Sequence, residues 1–421
     1  MFSRLQLAAS WTTLLLFAAM HTIGLAKVAT AQGVVTSKTP PPQTVLATPW
    51  AAGDGLAEPR LLEVYRLLAS GRGREALDQA SKIVYDYPNF QLAQLVYGDL
   101  LAARVRPVRV LGDVPSEMQS ARTATLDELR AESRQRVHAF NTPPRTGTIP
   151  AQFLEVSQRT RHAIAVDASR SRLYLFENRP TGLSLVADFY ISVGKAGVAK
   201  SAKGDRRTPL GVYYITSYIE PKLLKDIYGS GALPINYPNM LDTKRGKTGG
   251  GIWLHGTPPN QFSRAPLASD GCLVMANSDL MYLAHTVEVG STPVVIAQQL
   301  QWVDVDSVHG ESRPFDEALH AWHDAKEAGN LSRLMSFYTK DFNSYGKTLN
   351  QWSTLVQSEL VRMQGQRVEI KDLSLLRWTD TADTMVVTFE EALSGRQIGS
   401  IKRQYWTHQS GQWKIFFEGT L

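Results

Sequence analysis

From about Arg161 to residue 300 the chain breaks into short runs with strand-like alternation, each closed within a few residues by Gly or Pro. The runs are His162 to Val166, Arg172 to Phe176, Leu185 to Val193 and Gly211 to Thr216, then Ile252-Trp253-Leu254 and Pro293-Val294-Val295-Ile296. Runs this short hold no helix-length amphipathic face, so the stretch is constrained to a mostly β domain. Helical periodicity precedes it. Leu61, Leu62, Tyr65 and Leu68, then Ala76, Leu77, Ala80, Ile83 and Val84, recur at helical spacing; Tyr87-Pro88-Asn89 breaks the pattern, and Leu92, Leu95, Val96 and Leu100 resume it. Two helices about a Pro-Asn turn resemble one tetratricopeptide-type repeat. A lone repeat leaves an apolar face uncovered, so it is expected to pack on another element or on a second copy of the chain. A further helix is predicted from Leu126 to Phe140, ended by Pro143-Pro144.

After residue 300 a third texture begins. A helix carrying Phe315, Ala318, Leu319, Trp322 and Ala325 on one side leads to Phe337 and Tyr338. Strands follow near Val368 to Leu376, Thr384 to Leu393, Ile398 to Thr407 and Gln412 to Glu418. Helices first and an antiparallel sheet afterwards describe an α+β unit. The expected fold class is therefore multidomain α and β, with a helical region over 58–145, a mostly β domain over 158–298 and an α+β domain over 312–421. At the other end, Arg4 precedes a mostly apolar stretch from Leu5 to Met20, shorter than the roughly 20 residues a membrane span needs. Ala29-Thr30-Ala31 then puts small residues at the −3 and −1 positions of a cleavage site before Gln32. Residues 1–31 thus read as a secretory signal peptide, with an uncleaved anchor as the alternative. Residues 32–57, centred on Pro40-Pro41-Pro42, read as a flexible tether.

Charge narrows the partners. Forty-five Lys plus Arg against 39 Asp plus Glu leaves +6 over 421 residues, a bias that suits an anionic polymer and is too weak for a nucleic-acid stripe. The chain has one cysteine, Cys272, which excludes an intrachain disulfide and any Cys-based zinc or iron–sulfur cluster. An exported chain with a single unpaired thiol needs an account of that thiol.

The account lies in Ile252-Trp253-Leu254-His255-Gly256-Thr257 and, downstream, Ser269-Asp270-Gly271-Cys272-Leu273. A thiol becomes a strong nucleophile when a nearby imidazole takes its proton, and a third group on the other ring nitrogen fixes the tautomer. Seventeen positions separate His255 from Cys272, a distance that suits a strand end and a loop folded together. Gly271 permits a tight turn before the thiol, Gly256 lets a carbonyl approach the histidine, and amides near Gly271 and Cys272 are candidates for binding an oxyanion. The same residues also fit a buried structural cysteine and a strand end entering a turn. Spacing does not choose between the two readings.

Taken together, His255-Gly256-Thr257 and Ser269-Asp270-Gly271-Cys272 resemble the signature of the L,D-transpeptidase (YkuD) family. Lys203-Gly204-Asp205-Arg206-Arg207-Thr208-Pro209-Leu210-Gly211-Val212-Tyr213 is similar to that family's Gly-Asp-x-x-Thr-Pro-x-Gly-x-Tyr segment. The resemblance covers about 161–297. It implies a β-sandwich-like domain, located in the periplasm, that attacks the stem peptide of peptidoglycan at the carbonyl of meso-diaminopimelate. It also implies Cys272 as the nucleophile forming a thioester, His255 as base and then acid, and the Gly256 carbonyl as the group orienting the imidazole. Ser269, Asp270, Gly271 and Arg207 become the implied substrate-facing residues. On this reading the thiolate paired with His255 should alkylate faster than free cysteine near neutral pH.

Two positions depart from the family pattern. Asp270 stands where most members have a second histidine, and Val274 stands where many place Arg or Asn. The layout also resembles the cell-shape-determining L,D-carboxypeptidases of helical bacteria, which trim tetrapeptide to tripeptide stems. The region from about 314 resembles a nuclear transport factor 2-like (NTF2-like, SnoaL-like) cone, a fold that binds small ligands or packs as a dimer. A homodimer through the helical or C-terminal domain is one expectation. A non-catalytic wall-binding scaffold is the reading from a different class, and no cofactor or metal is called for by the chemistry.

Other residues carry two readings. Lys203, Arg206, Lys244, Arg245 and Lys247 are candidates for the acidic stem, against a plain solvated surface. Gly246-Lys247-Thr248 is no phosphate loop, because the pattern requires Gly where Leu241 stands. His320 and His323 lack a third metal ligand at an obvious spacing. Trp322, Trp352, Trp378, Trp406 and Trp413 are read as core of the C-terminal domain, with a ligand pocket as the alternative.

Overall fold

The structure, a computed structural model, describes residues 57–113, 123–363, 366–396 and 398–421. The expected signal peptide and all but the last residue of the expected tether lie outside the described residues. Among the described residues no helix is long and apolar enough to cross a membrane. The chain divides into two compact units at Arg134.

The first unit holds α1 (Ala57–Ala69), α2 (Gly73–Asp86) and α3 (Gln91–Ala102). Leu61, Val64, Ala76, Ala80, Ile83, Phe90, Leu92 and Val96 bury one stripe of each helix. Gly71, at φ +74°, closes α1 in the left-handed conformation that glycine adopts without strain. α4 (Thr123–Asn141) follows, and its Ser133 hydroxyl hydrogen-bonds to that of Tyr65 at 2.9 Å.

Strands of the second unit run in chain order β1 (Thr148–Pro150), β2 (Phe153–Glu155), β3 (His162–Asp167), β4 (Arg172–Arg179), β5 (Gly182–Tyr190), β6 (Val193–Gly194) and β7 (Gly211–Tyr214). After them come β8 (Ala232–Pro234), β9 (Trp253–His255), β10 (Leu267–Ser269), β11 (Leu273–Val274), β12 (Pro293–Ala297) and β13 (Trp302–Asp304). A five-stranded sheet is ordered β5-β4-β3-β12-β7, with β12 parallel to β3. A three-stranded sheet is ordered β11-β9-β8, and β10 pairs with β6. Single bridges, Ser192 to Val274 and Ile215 to Ile235, join the three-stranded sheet to the continuations of β5 and β7, the two edges of the larger sheet. The strands thus form a closed ring, which leaves few open edges and gives the expected sandwich-like domain its two facing walls.

Alternation then assigns the faces of the larger sheet. Ala163 and Ala165 of β3, Tyr174 and Phe176 of β4, Val212 and Tyr214 of β7, and Val295 of β12 share one apolar cluster with the C-terminal domain. Their neighbours Ile164, Val166, Leu173, Leu175, Val294 and Ile296 are equally buried. Both faces of the central strands are therefore covered, as their unbroken apolar runs require.

The C-terminal domain contains α7 (Val305–Glu327), α8 (Leu331–Met335), β14 (Asn343–Ser344), β15 (Lys347–Thr348), α9 (Leu349–Met363), β16 (Val368–Thr379), β17 (Asp383–Leu393), β18 (Ser400–Gln409) and β19 (Gln412–Thr420). Two short helices complete the catalytic region, α5 (Met240–Lys244) and α6 (Asn277–Thr286). The large C-terminal sheet is ordered β19-β18-β17-β16-β2. Its fifth strand comes from before the β domain, with Phe153 opposite Leu376 and Glu155 opposite Leu375. Trp322 and Trp406 are fully buried and lie edge-on, 6.4 Å apart, and Phe315 and Phe389 meet them at 5.4 Å and 5.8 Å. These indoles are core.

The two β-rich domains are joined by charge as well. Lys244 pairs with Asp341, and Arg245 grips Asp380 through both terminal nitrogens, one contact being 2.6 Å. With β2 completing the C-terminal sheet, the two domains should unfold together. Phe153→Ala, which removes a side chain only 1% exposed, is expected to cost about 3–5 kcal/mol. Calorimetry should show one transition for both domains shifting down, and a separate C-terminal transition left unmoved would contradict the shared core.

Candidate active site

His255 lies on β9, the middle strand of the three-stranded sheet, with Ala232 on one side and Val274 on the other. A central strand has no solvent-facing edge, and the residue is 4% exposed. The edge of the Tyr228 ring meets the imidazole at 5.0 Å. His255 Nδ1 lies 2.7 Å from the Gly256 carbonyl oxygen. A carbonyl only accepts, so Nδ1 carries the proton and Nε2 is the lone-pair nitrogen.

Gly256 is required by its neighbour Asn277, the first residue of α6. A Cβ at 256 would sit 2.0 Å from Asn277 Oδ1. That oxygen accepts from the Ser230 amide at 2.9 Å and the Thr257 amide at 3.2 Å, while Nδ2 donates to the Thr257 carbonyl at 2.8 Å. One amide side chain thus fixes the turn that presents the Gly256 carbonyl.

Cys272 follows a turn closed by Ser269, whose hydroxyl donates to the Cys272 carbonyl at 2.6 Å and accepts from the Gly271 amide at 3.0 Å. Gly271 has φ +126°, and a Cβ there would lie 2.8 Å from the Arg207 carbonyl oxygen. Buried Thr208 ties the turn to β6, accepting from the Gly194 amide and donating to the Gly271 carbonyl, both at 2.9 Å. Upstream, the Asp205 carboxylate takes the amides of Ser201, Ala202 and Arg207 and the Lys200 ammonium at 2.7 Å. Against the penalty of burial, these donors hold its carboxyl well below the usual range. The Gly-Asp-x-x-Thr segment is therefore the scaffold under the cysteine turn.

The half-buried Cys272 sulfur lies against β9. It accepts from the Trp253 amide, two residues before His255, and sits 3.4 Å from the Gly251 carbonyl, to which the thiol donates. Burial pushes the thiol up, aided by Asp270 and opposed by the Trp253 amide, Arg264 and Lys200. Burial pushes His255 down to about 4, aided by Arg264 and opposed by the Gly256 carbonyl. Both shifts favour the uncharged forms, a neutral thiol and a neutral imidazole. This corrects the expectation of a resting thiolate that alkylates rapidly near neutral pH.

Other expectations change too. Ser269 is buried, and its hydroxyl is engaged within its own turn. The Gly271 amide is bonded to Ser269 and is not available to an oxyanion. Arg207 is exposed and donates to the Val198 carbonyl at 2.9 Å, while Asp270 is exposed and 3.5 Å from Lys195. Of the basic candidates, Lys244 and Arg245 join the C-terminal domain and Lys247 pairs with Asp242 at 2.7 Å, whereas Lys203 and Arg206 are exposed. His323 Nε2 hydrogen-bonds to the Val368 carbonyl at 2.7 Å. Among the described residues no group of three or more His, Cys, Asp or Glu is placed to hold a metal.

The sequence reading missed Asn277, Trp253, Tyr228 and Arg264 as parts of the site, and placed Thr208 in a motif without a role. Arg264 is half-buried on the loop before β10, and its charge acts on both the thiol and the imidazole. Its carbonyl is anchored by the Tyr190 and Ser192 hydroxyls, at 2.8 Å and 3.0 Å. Ser192 also exchanges backbone bonds with Val274, two residues past the thiol.

Residues 161–296 match the YkuD family, the L,D-transpeptidase catalytic domain, and residues 315–419 match the Cds6 C-terminal NTF2-like domain. The chain carries a YkuD catalytic domain followed by an NTF2-like domain. That catalytic domain supports an enzyme of the L,D-transpeptidase kind, and the YkuD family acts on peptidoglycan stem peptides. Among solved structures the chain is similar to Bd1075 of Bdellovibrio bacteriovorus, at 23% identity and a TM-score of 0.55, over 65% of this chain and 98% of that one. It is also similar to the helical cell shape determining protein Pgp2 of Campylobacter jejuni, at 20% identity and a TM-score of 0.52, over 69% of this chain and 99% of that one. Both likenesses extend the shared fold across the YkuD and NTF2-like domains together. No curated protein matches the chain.

Thr208→Val keeps the shape of the side chain but strands the Gly194 amide and the Gly271 carbonyl. It should lower stability by about 1–3 kcal/mol and lower kcat on stem peptides more than it changes KM, with Thr208→Ser restoring both. Thermal melts with steady-state kinetics check this, and unchanged kcat in the valine variant would contradict the bracing role.

Proposed function

We propose that Cys272 and His255 carry out acyl transfer on the stem peptide at the meso-diaminopimelate carbonyl. The observation that supports this reading is the His255 Nδ1 bond to the Gly256 carbonyl, 2.7 Å, which leaves Nε2 as the base. The Cys272 thiol proton passes to His255 Nε2 as sulfur bonds to the carbonyl carbon. The tetrahedral oxyanion collapses, the C–N bond breaks, and the departing D-alanine nitrogen takes the proton back from Nε2. An amine or water then attacks the thioester. Nε2 accepts the proton of the attacking atom and returns it to sulfur as the C–S bond breaks. Arg264, with its charge felt at both reacting groups, meets the carboxylate of the departing D-alanine.

Transfer to an amine is the first reading. Hydrolysis, trimming tetrapeptide to tripeptide stems, is the second, and the layout shared with Pgp2 favours it together with a role in cell shape. Either reaction places the mature protein in the periplasm, reached by the N-terminal signal.

The test is digestion of purified sacculi with the wild type and with Cys272→Ala, followed by muropeptide profiling. Direct cross-links between diaminopimelate residues should accumulate if an amine resolves the thioester, and tripeptides if water does, with neither formed by the alanine variant. Identical profiles for the two proteins would leave only the scaffold reading.

A further inference from the structure

A cavity of about 350 Å3 lies between the YkuD and NTF2-like domains, away from the thiol, where β7 faces β17 and β18. That volume falls within the range of small-ligand sites. Its floor is unusual in charge. Arg403, on β18, is 7% exposed and lines the cavity. Its Nε donates to Thr388 Oγ1 at 2.9 Å, and its guanidinium carbon lies 3.4 Å from the centroid of the Tyr214 ring. Among the described residues no acceptor is bonded to its two terminal nitrogens. The other charged side chains in the cavity are one cation and two carboxylates. Arg159 pairs with Asp372 at 2.6 Å and also with Glu390, whose second oxygen accepts from the Gly399 amide.

One buried guanidinium therefore keeps two N–H edges open in the cavity. Such a cation is costly to leave without a partner, and its planar fork matches a carboxylate. A single open fork beside two carboxylates suits a monoanion and disfavours a phosphate dianion. The mouth is apolar: Val289, Ile401 and Leu421 are 53%, 43% and 58% exposed there. We propose that this interdomain cavity binds the terminal carboxylate of a short peptide with small apolar side chains, through Arg403. The site is separate from the thiol, and its occupancy does not depend on which reaction Cys272 performs.

The test uses full-length Cys272→Ala protein, which cannot consume a peptide, with methyl-labelled Ile, Leu and Val observed by NMR. N-acetyl-alanyl-D-alanine is titrated against its C-terminal amide and against inorganic phosphate. The Ile401, Val289 and Leu421 methyls should shift saturably with the acid and at least about tenfold more weakly with the amide. Arg403→Gln should abolish the shifts. Ile401→Trp, which fills the mouth and leaves the cation in place, should abolish them as well, and it decides the matter if the arginine variant fails to fold. Equal affinity for acid and amide, tighter binding of phosphate, silent cavity methyls, or shifts that survive in either variant would overturn the assignment.

Discussion

The hydrogen bond from His255 Nδ1 to the Gly256 carbonyl is the contact on which the proposed chemistry depends. It decides which imidazole nitrogen carries a proton, and so which one can take a proton from sulfur. Much of the surrounding structure serves to hold it. β8 and β11 flank the histidine, Tyr228 closes one side of the ring, and Asn277 forbids a side chain at 256 while bonding the turn beyond it. The ring of strands that closes on both edges of the larger sheet makes this three-stranded floor stiff, and stiffness is what keeps a proton-transfer geometry in register.

The sulfur is held from the opposite direction. Thr208 links the cysteine turn to β6, Ser269 closes it, and the Lys200–Asp205 pair anchors the loop that carries Thr208. A buried histidine with its pKa near 4 and a thiol pushed up describe a site uncharged at rest. The same low polarity that makes an ion pair costly strengthens the attraction of Arg264 for an incoming carboxylate. Burial thus favours the protonated thiol.

The sequence singled out His255 and Cys272 because the two short motifs carry both the chemical groups and the glycines that their backbone geometry demands. It revealed the strands of the YkuD domain because alternation and Gly/Pro breaks are local signals. It did not reveal β2, since three residues are too few to show a period, and only the distant β16 makes them a strand. α9 was also missed, although Leu349, Trp352, Val356 and Leu360 stand at helical spacing and pack on the core. Arg264 and Arg403 gain their meaning from neighbours far away in the chain. Ser269 looked like a substrate contact because it stands in the motif, yet its partners are the backbone atoms of its own turn. The ionisation state of the thiol depends on burial, which residue types alone do not encode.

The most direct test of the account is the rate of Cys272 alkylation by a small reagent as a function of pH. The structure predicts a rate that stays low at neutral pH and climbs only with a midpoint above the ordinary thiol value of about 8.5, because the resting sulfur is protonated. A rate already on its plateau at neutral pH, and lost in His255→Ala, would show a standing thiolate–imidazolium pair and contradict it.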